Sequence, residues 1–416
     1  MSSILTNNSA MVALQTLNSI NKNLAMTQNE ISTGKSIATA KDNSAIWAIS
    51  QVMQSDVDGF DAISDSLGLG ESTVAVGRNA SERVTELLGD IKSKIVAAQE
   101  DNVDRDKLQT DLSSLRDQIS GIVSAAQFNG QNLLSNTTTT GEGTIDVLAS
   151  LDRDSIGNVT SNSISVAKQD LGQTDNTAGT AADQVGSNTA IAVGDSDVVS
   201  TFTSTSIVAG QTFAFDLTAG LSGGADVALT GSVSYVAREG DTMAVVVDQM
   251  VARLNYEVTN QGYGDSLSFS STSTAGEISM TNNSENAVTV GTADVTEDTD
   301  GTAADGTIGG GLELLGDIDV STADGAAAAL AAIETLTQTA ISASAEFGTS
   351  EKRIDIQQDF ISKLTDSLKS GIGSLVDADM EQASARLQAL QVQQQLGIQS
   401  LSIANQAPQN ILSLFR

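Results

Sequence analysis

The 416-residue chain contains no cysteine, no histidine and a single proline (Pro408), and aromatic residues fill only 3% of its positions. The first two absences exclude disulfides, a thiolate nucleophile, a Ser-His-Asp triad and every His- or Cys-ligated metal site. Carboxylate chemistry and hard cations remain, but no carboxylate pair is spaced for acid–base work, so neither an enzyme nor a cofactor is expected. So little aromatic mass suits long packed helices and light β-structure built from Ala, Leu, Ile, Val and Ser. Basic residues are scarce as well: 20 Lys+Arg stand against 52 Asp+Glu, a formal net charge of −32. Neutralising phosphates takes clustered Lys and Arg, so the expected partners include no nucleic acid and no anionic membrane. The longest apolar runs, such as AAAALAAI (Ala326–Ile333), fall far short of the ~20 residues that span a bilayer, so no membrane insertion is expected. The start, MSSILTNNSAMVALQ, has no basic n-region, long apolar h-region or cleavage-like site. A cytosolic protein and one secreted by a route without a cleaved signal peptide both fit.

What charge there is divides the chain into zones. Residues 1–136 hold 16 acidic and 10 basic side chains, residues 137–330 hold 27 and 4, and residues 331–416 hold 9 and 6. The extremes are bare: Lys22 is the first charged side chain, and Leu387 to Phe415 carry none.

Apolar periodicity changes at the same borders. Ala10, Leu14, Leu17, Leu24 and Ile31 follow alternating steps of three and four, with Asn21 and Gln28 at the intervening places. Val376, Met380, Ala383, Leu387, Leu390, Leu401 and Ala404 keep the same register, with Gln394 and Gly397 between. Both read as helices with coiled-coil seams that pack on each other. Further helical stripes run through Val84, Leu87, Leu88, Ile91 and Ile95, then Leu108, Leu112, Leu115, Ile119 and Ile122. The last begins at Ile333 and takes in Leu336, Ala340, Phe347, Ile354, Phe360, Ile361, Leu364 and Leu368; ordinary bundle packing accounts for all three.

The middle differs. TFTSTSIVAGQTFAFDLTAG (Thr201–Gly220) alternates at period two, as half-buried strands do, and VALTGSVSYVA, SLSFSS, EISMT and NAVTV read as strands as well. DTMAVVVDQMVARLNYEV suits one helix with Asp241 as its N-cap. TTTTGEG (Thr137–Gly143) and DGTIGGG (Asp305–Gly311) fit hinges. The expected fold class is α+β: a long α-helical coiled-coil core formed by both termini, with an inserted β-rich outer domain containing one or more short helices.

Two motifs look like ligand sites and fail on inspection. NEISTGKS (Asn29–Ser36) has Asn29 where a phosphate-binding loop needs Gly, and it follows a helix rather than a strand. DTDG (Asp298–Gly301) and DSD (Asp195–Asp197) lack the further carboxylates of a calcium loop. The uncharged ends are more telling. Long neutral helices have few ion pairs to hold them as exposed faces, whereas amides and hydroxyls tolerate a crowded interior shared by many copies. A self-association surface fits this pattern, and so does a plain two-helix coiled coil inside a monomer.

Several stretches resemble the bacterial flagellins. ISTGKSIATAKDNSAIWAIS (Ile31–Ser50), AQFNGQNLL (Ala126–Leu134), SASAEFGTSEKRID (Ser342–Asp355) and the whole of Asp377–Arg416 are similar to segments of that family in the same order. The resemblance implies three domains. These are 1–33 with 376–416 as an inner-tube coiled coil, 34–136 with 330–375 as an outer-tube helical domain, and 137–329 as a surface-exposed, β-rich variable domain. It implies a homopolymer in an extracellular flagellar filament that transmits motor torque. The subunit would be exported unfolded through the flagellar type III apparatus with a chaperone, then assembled at the distal tip among hook-associated junction and cap proteins. The inner-tube polymerisation interface would comprise Ala10, Leu14, Leu17, Leu24, Ile31, Val376, Met380, Ala383, Leu387, Leu390, Leu401, Ala404, Ile411, Leu412 and Leu414. Some flagellins carry an innate-receptor patch of Arg-Val-Arg-Glu-Leu type. Here Arg83, Glu86 and Leu87 fit it, while Thr85 replaces an arginine and GDIKSK departs further, which implies a poor ligand. A hook–filament junction protein is the competing reading, and a secreted adhesin or surface-layer protein a more distant one.

Overall fold

A computed structural model describes residues 7–135, 143–153, 158–179, 183–187, 189–204, 206–217, 229–238, 240–291, 295–297 and 306–413, the last seven as backbone only. The chain divides into two compact units. The first comprises residues up to 65, 153–159 and 358–416; the second comprises 66–152 and 160–357.

Helix α1 (Asn8–Thr33) starts at Asn7, whose side chain accepts from the Ala10 N–H, and stops at Gly34, whose φ of 70° closes the helix in the left-handed region. The turn to α2 (Ser44–Ala98) is built by its polar residues. Asp42 accepts from the backbone N–H and the hydroxyl of Thr39 at 2.9 and 3.0 Å, and Asn43 caps α2 by accepting from Ala45 and Ile46. Those two Thr39 donors hold the Asp42 carboxyl below its ordinary range. At the far end of the chain, α6 (Ala323–Val376) and α7 (Met380–Ser413) are separate helices. Asp379 caps α7 through Glu381 and Gln382. The continuous seam expected from Val376 onward is therefore broken at 377–379, where the chain is hydrogen-bonded to the turn after α1. The Ser36 N–H donates to Val376 O at 2.7 Å, and the Ala378 N–H to Gly34 O at 2.9 Å.

In the second unit, Lys94 of α2 is paired with Asp111 of α3 (Arg105–Ala125) at 2.7 Å. The α2 stripe from Val84 to Ile95 is buried throughout, as are Leu112 and Ile119 of α3 and Ile333, Leu336, Ala340, Phe347 and Ile354 of α6. Arg78 ties α2 to α6 through Glu351 at 2.6 Å. Phe360, expected in the same stripe and belonging to the first unit, is exposed instead: Ile361 beside it takes the inward position. After α3, β1 (Gln127–Phe128) and β2 (Gln131–Asn132) form a tight hairpin. Its turn residues Asn129 and Gly130 have φ of 50° and 80°, the geometry that favours Asn-Gly.

The inserted region is β-rich. β3 (Thr144–Arg153) and β4 (Val159–Ala167) form a two-stranded sheet. β5 (Asp183–Gln184), β6 (Thr189–Ile191), β7 (Ser196–Thr201), β8 (Thr212–Asp216) and β9 (Ser232–Val236) precede helix α4 (Met243–Asn260). Then come β10 (Leu267–Ser271), β11 (Glu277–Asn282), β12 (Val288–Val290), β13 (Val295–Glu297) and the short α5 (Leu314–Asp317). The sheets run β5-β13-β8-β9, β10-β11-β7 and β12-β6, antiparallel throughout. One core joins them to α4, with Phe202 against Phe213 and Phe215 against Phe269 edge to face at 5.1 and 5.8 Å.

Three expectations change here. Within Thr201–Gly220, Thr201 ends β7 and Thr212–Asp216 forms β8, while 218–220 lie outside the described residues. Thr242, not Asp241, caps α4; Asp241 instead accepts from the Tyr235 hydroxyl and the Arg238 N–H. DGTIGGG is no hinge: Gly309 to Gly311 are buried. A Cβ on Gly310 would stand 2.1 Å from the Gly172 carbonyl carbon, and one on Gly311 1.9 Å from Asp170 O. These glycines let two backbones touch. TTTTGEG lies outside the described residues except for Gly143, as does DTDG.

Candidate assembly surface

Among the described residues no cluster of carboxylates is placed to hold a metal, and the first unit instead offers a surface. Helices α1 and α7 pack antiparallel. Asn7 Nδ2 donates to Ala404 O at 2.8 Å, Gln394 Nε2 to Asn21 Oδ1 at 2.7 Å, and Gly397 faces Leu17 and Ile20. On α7 the inward positions are Ala383, Leu387, Leu390, Gln394, Gly397, Leu401 and Ala404, the register read from the sequence; Val376 is buried at the end of α6. Met380, first residue of α7, is exposed.

On α1 four of the seven expected seam positions face inward. Ala10, Leu17, Leu24 and Ile31 are partly buried, but the positions between them are Ala13, Ile20 and Thr27 rather than Leu14, Asn21 and Gln28. The two registers differ by one residue. The observed one turns Ile20 and Thr27 inward and leaves Asn21 and Gln28 exposed, with Asn21 still accepting from Gln394 across the edge of the pair. Leu14 is left 49% exposed. Ile411 and Leu412 lie in α7 with side chains outside the described residues, and Leu414 lies outside them altogether.

Both helices keep apolar side chains in solvent. Met11, Val12, Leu14 and Met26 of α1 and Val392, Leu396, Ile398 and Ile403 of α7 are exposed. No charged side chain lies between Asn8 and Asn21 or beyond Arg386 in α7. These exposed apolar side chains therefore stand among uncharged neighbours on both helices. The receptor-type stretch is elsewhere, on α2: Arg83 and Glu86 are exposed and paired with each other, while Leu87 is buried.

The second unit shows what the sequence reading missed. Arg253 and Glu313, 60 positions apart, form a buried bidentate pair at 3.0 and 2.9 Å. Glu313 also accepts from the N–H and side-chain amide of Asn176. Arg238 lies 3.7 Å from Asp170, and both guanidinium groups stand over the Tyr235 ring, that of Arg238 5.7 Å and that of Arg253 5.5 Å from its centre. Burial drives the Tyr235 hydroxyl well above its ordinary range. With Arg153 held by Asp56 at 2.6 Å, three of the four basic residues of 137–330 are paired with acids. No local spacing signals such a pairing.

Known proteins agree with this division between ends and middle. Residues 4–139 match the bacterial flagellin N-terminal helical region, and residues 319–415 the bacterial flagellin C-terminal helical region. Flagellin B of Rhizobium meliloti is 38% identical over 428 aligned residues, covering 100% of both chains. Two solved structures align more loosely. FliC from Burkholderia pseudomallei is 16% identical with a TM-score of 0.31, covering 68% of this chain and 99% of that one. Flagellar hook-associated protein 3 from Legionella pneumophila is 10% identical with a TM-score of 0.36, covering 78% and 98%. The sequence matches define the class, a structural component of the bacterial flagellum. Within it, the chain belongs to the bacterial flagellin family and is a subunit of the flagellar filament.

Proposed function

We propose that this filament subunit polymerises through the α1–α7 pair, with residues 1–33 and 376–416 forming the inner tube. Residues 34–136 with 330–375 form the outer tube, and 137–329 face the medium. The observation that carries this reading is the exposed, uncharged apolar surface of the pair. In a polymer such faces are buried at ~25 cal/mol per Å² of apolar area, with no stacked like charges to oppose it. The acidic middle suits the outside, where net charge keeps a polymer soluble.

On this reading the named seam residues act in two ways. Ala10, Leu17, Leu24, Ile31, Ala383, Leu387, Leu390, Leu401 and Ala404 hold the pair together, while Leu14 and Met380 are free to meet other copies. Ile411, Leu412 and Leu414 complete the proposed interface. The role is structural rather than enzymatic, with export through the type III apparatus aided by a chaperone, and assembly at the tip next to junction and cap proteins. The stretch around Arg83 and Glu86 is a poor ligand for an innate receptor; activation in a reporter assay equal to that of a strong agonist would refute this. The central test removes residues 390–416 and inspects the product by electron microscopy. Loss of filaments is expected, and normal filaments would overturn the proposal.

A further inference from the structure

Sulfur occurs in this chain only as thioether: there are eight methionines and no cysteine. With no thiol to react first, methionine is the side chain left to take an oxidant. The methionines are sorted by region. Met11 and Met26 of α1 and Met380 at the start of α7 are 62%, 46% and 44% exposed. All three belong to the first unit, and none is an inward position of the α1–α7 seam. Met53 of α2 is partly buried. In the second unit, Met250 of α4 and Met280 of β11 are fully buried in the aromatic core, and Met243 is packed against it. Among the described residues, then, every exposed methionine lies on α1 or α7.

We infer that Met11, Met26 and Met380 are reversible oxidation sites, through which a peroxide stops assembly while the β-rich region stays folded. The consequence rests on the filament reading; the chemistry does not. The thioether sulfur attacks one peroxide oxygen, and the O–O bond breaks as the S–O bond forms. Sulfur gives up two electrons to the peroxide. The proton on the transferred oxygen passes to the departing one, which leaves as water. A flexible apolar side chain thereby becomes a polar, chiral sulfoxide. Its new oxygen is a hydrogen-bond acceptor, and burying an acceptor without a donor costs free energy. Residues 1–21 contain no Lys or Arg that could donate to it beside Met11. Because the three side chains stand outside the seam, the α1–α7 pair itself survives their oxidation. Sulfoxide reductases, one for each epimer, return the thioether, so the block is reversible.

The test treats the full-length, unassembled chain with hydrogen peroxide, then reads it by peptide mass spectrometry and by sedimentation after polymerisation. One added oxygen on Met11, Met26 and Met380 before any on Met250 or Met280 is expected, with loss of the pelleted polymer. Methionine sulfoxide reductases A and B together should restore the pellet. The triple variant Met11→Leu, Met26→Leu, Met380→Leu nearly conserves volume and should pellet equally before and after peroxide. Oxidation of Met250 and Met280 at the same rate, or an unchanged pellet with all three sites oxidised, overturns the inference and leaves the filament reading intact. Loss of polymer from the triple variant after peroxide does the same. If that variant does not polymerise even untreated, the reductases decide, and no recovery overturns the inference. Absence of polymer from the untreated natural chain would count against the filament reading itself, while the order of oxidation still tests the chemistry.

Discussion

The inserted region and the terminal helix pair solve opposite problems with the same chain. The insertion finishes its own interior: all three tyrosines and four of the nine phenylalanines fall within 137–329, and Phe213, Phe215, Tyr235, Met250 and Leu254 are buried together. It pairs its few cations with acids, two of them in the interior. The terminal helices contain no aromatic residue between Asn8 and Thr33 or between Met380 and Ser413. Their seam is thin, and their outward faces remain apolar and neutral. A surface left incomplete in this way can be completed by further copies, whereas a closed core cannot.

Breaking the closed half should give the largest effect. Arg253→Met leaves Glu313 buried without its cation, which typically costs about 3–5 kcal/mol. A separate, earlier melting step for the β-rich signal is expected, with hydrogen exchange in α1 and α7 unchanged. A uniform loss over both regions would show that the two do not unfold separately. A smaller change is expected at the pair. A Cβ on Gly397 would stand 3.2 Å from Leu17 Cδ1, so Gly397→Val should overpack the seam by about 1–3 kcal/mol. Faster exchange of α1 amides from Leu17 to Leu24 would show it, and unchanged protection would argue that the pair is looser than its geometry.

The smallest effect sharpens the electrostatic side. Partial burial, then Asp175 and Glu313, raise the Asp317 carboxyl above its ordinary value. The native state therefore holds this proton more tightly than the unfolded chain. That contribution is present below the ordinary carboxylate range and disappears as pH rises through the raised value. Asp317→Asn keeps the neutral form at every pH. It should melt slightly higher than the natural chain at neutral pH and equally in acid; a variant less stable at neutral pH would reverse the sign.

How much could be read beforehand depended on whether one side chain or two decided the matter. The α7 register was legible because Ala383, Leu387, Leu390, Leu401 and Ala404 have no competing stripe of the same phase. On α1, Ala10, Leu17, Leu24 and Ile31 belong to two registers at once, and only the packing of Ile20 and Thr27 settles the choice. The break before α7 was hidden because Asp379 reads as a helix-surface acid until its capping bonds are seen. Phe360 and Ile361 are adjacent apolar residues that both fit the stripe, and only the packing shows that Ile361 turns inward and Phe360 outward. Gly309 to Gly311 misled by habit, because glycine signals both freedom and close approach. The Arg253–Glu313 pair left no trace at all, since nothing in the sequence marks two distant residues as partners.

On the proposed reading, neutral apolar exposure means assembly at the ends and nothing of the kind in the middle. Ile398 in α7 and Val193 in the β-rich region are 54% and 53% exposed, a matched pair of apolar surface residues. Ile398→Asp and Val193→Asp can be polymerised side by side and the filaments sedimented. The first variant should stay in the supernatant while the second pellets like the natural chain. Equal pellets from both, or loss confined to Val193→Asp, would contradict it.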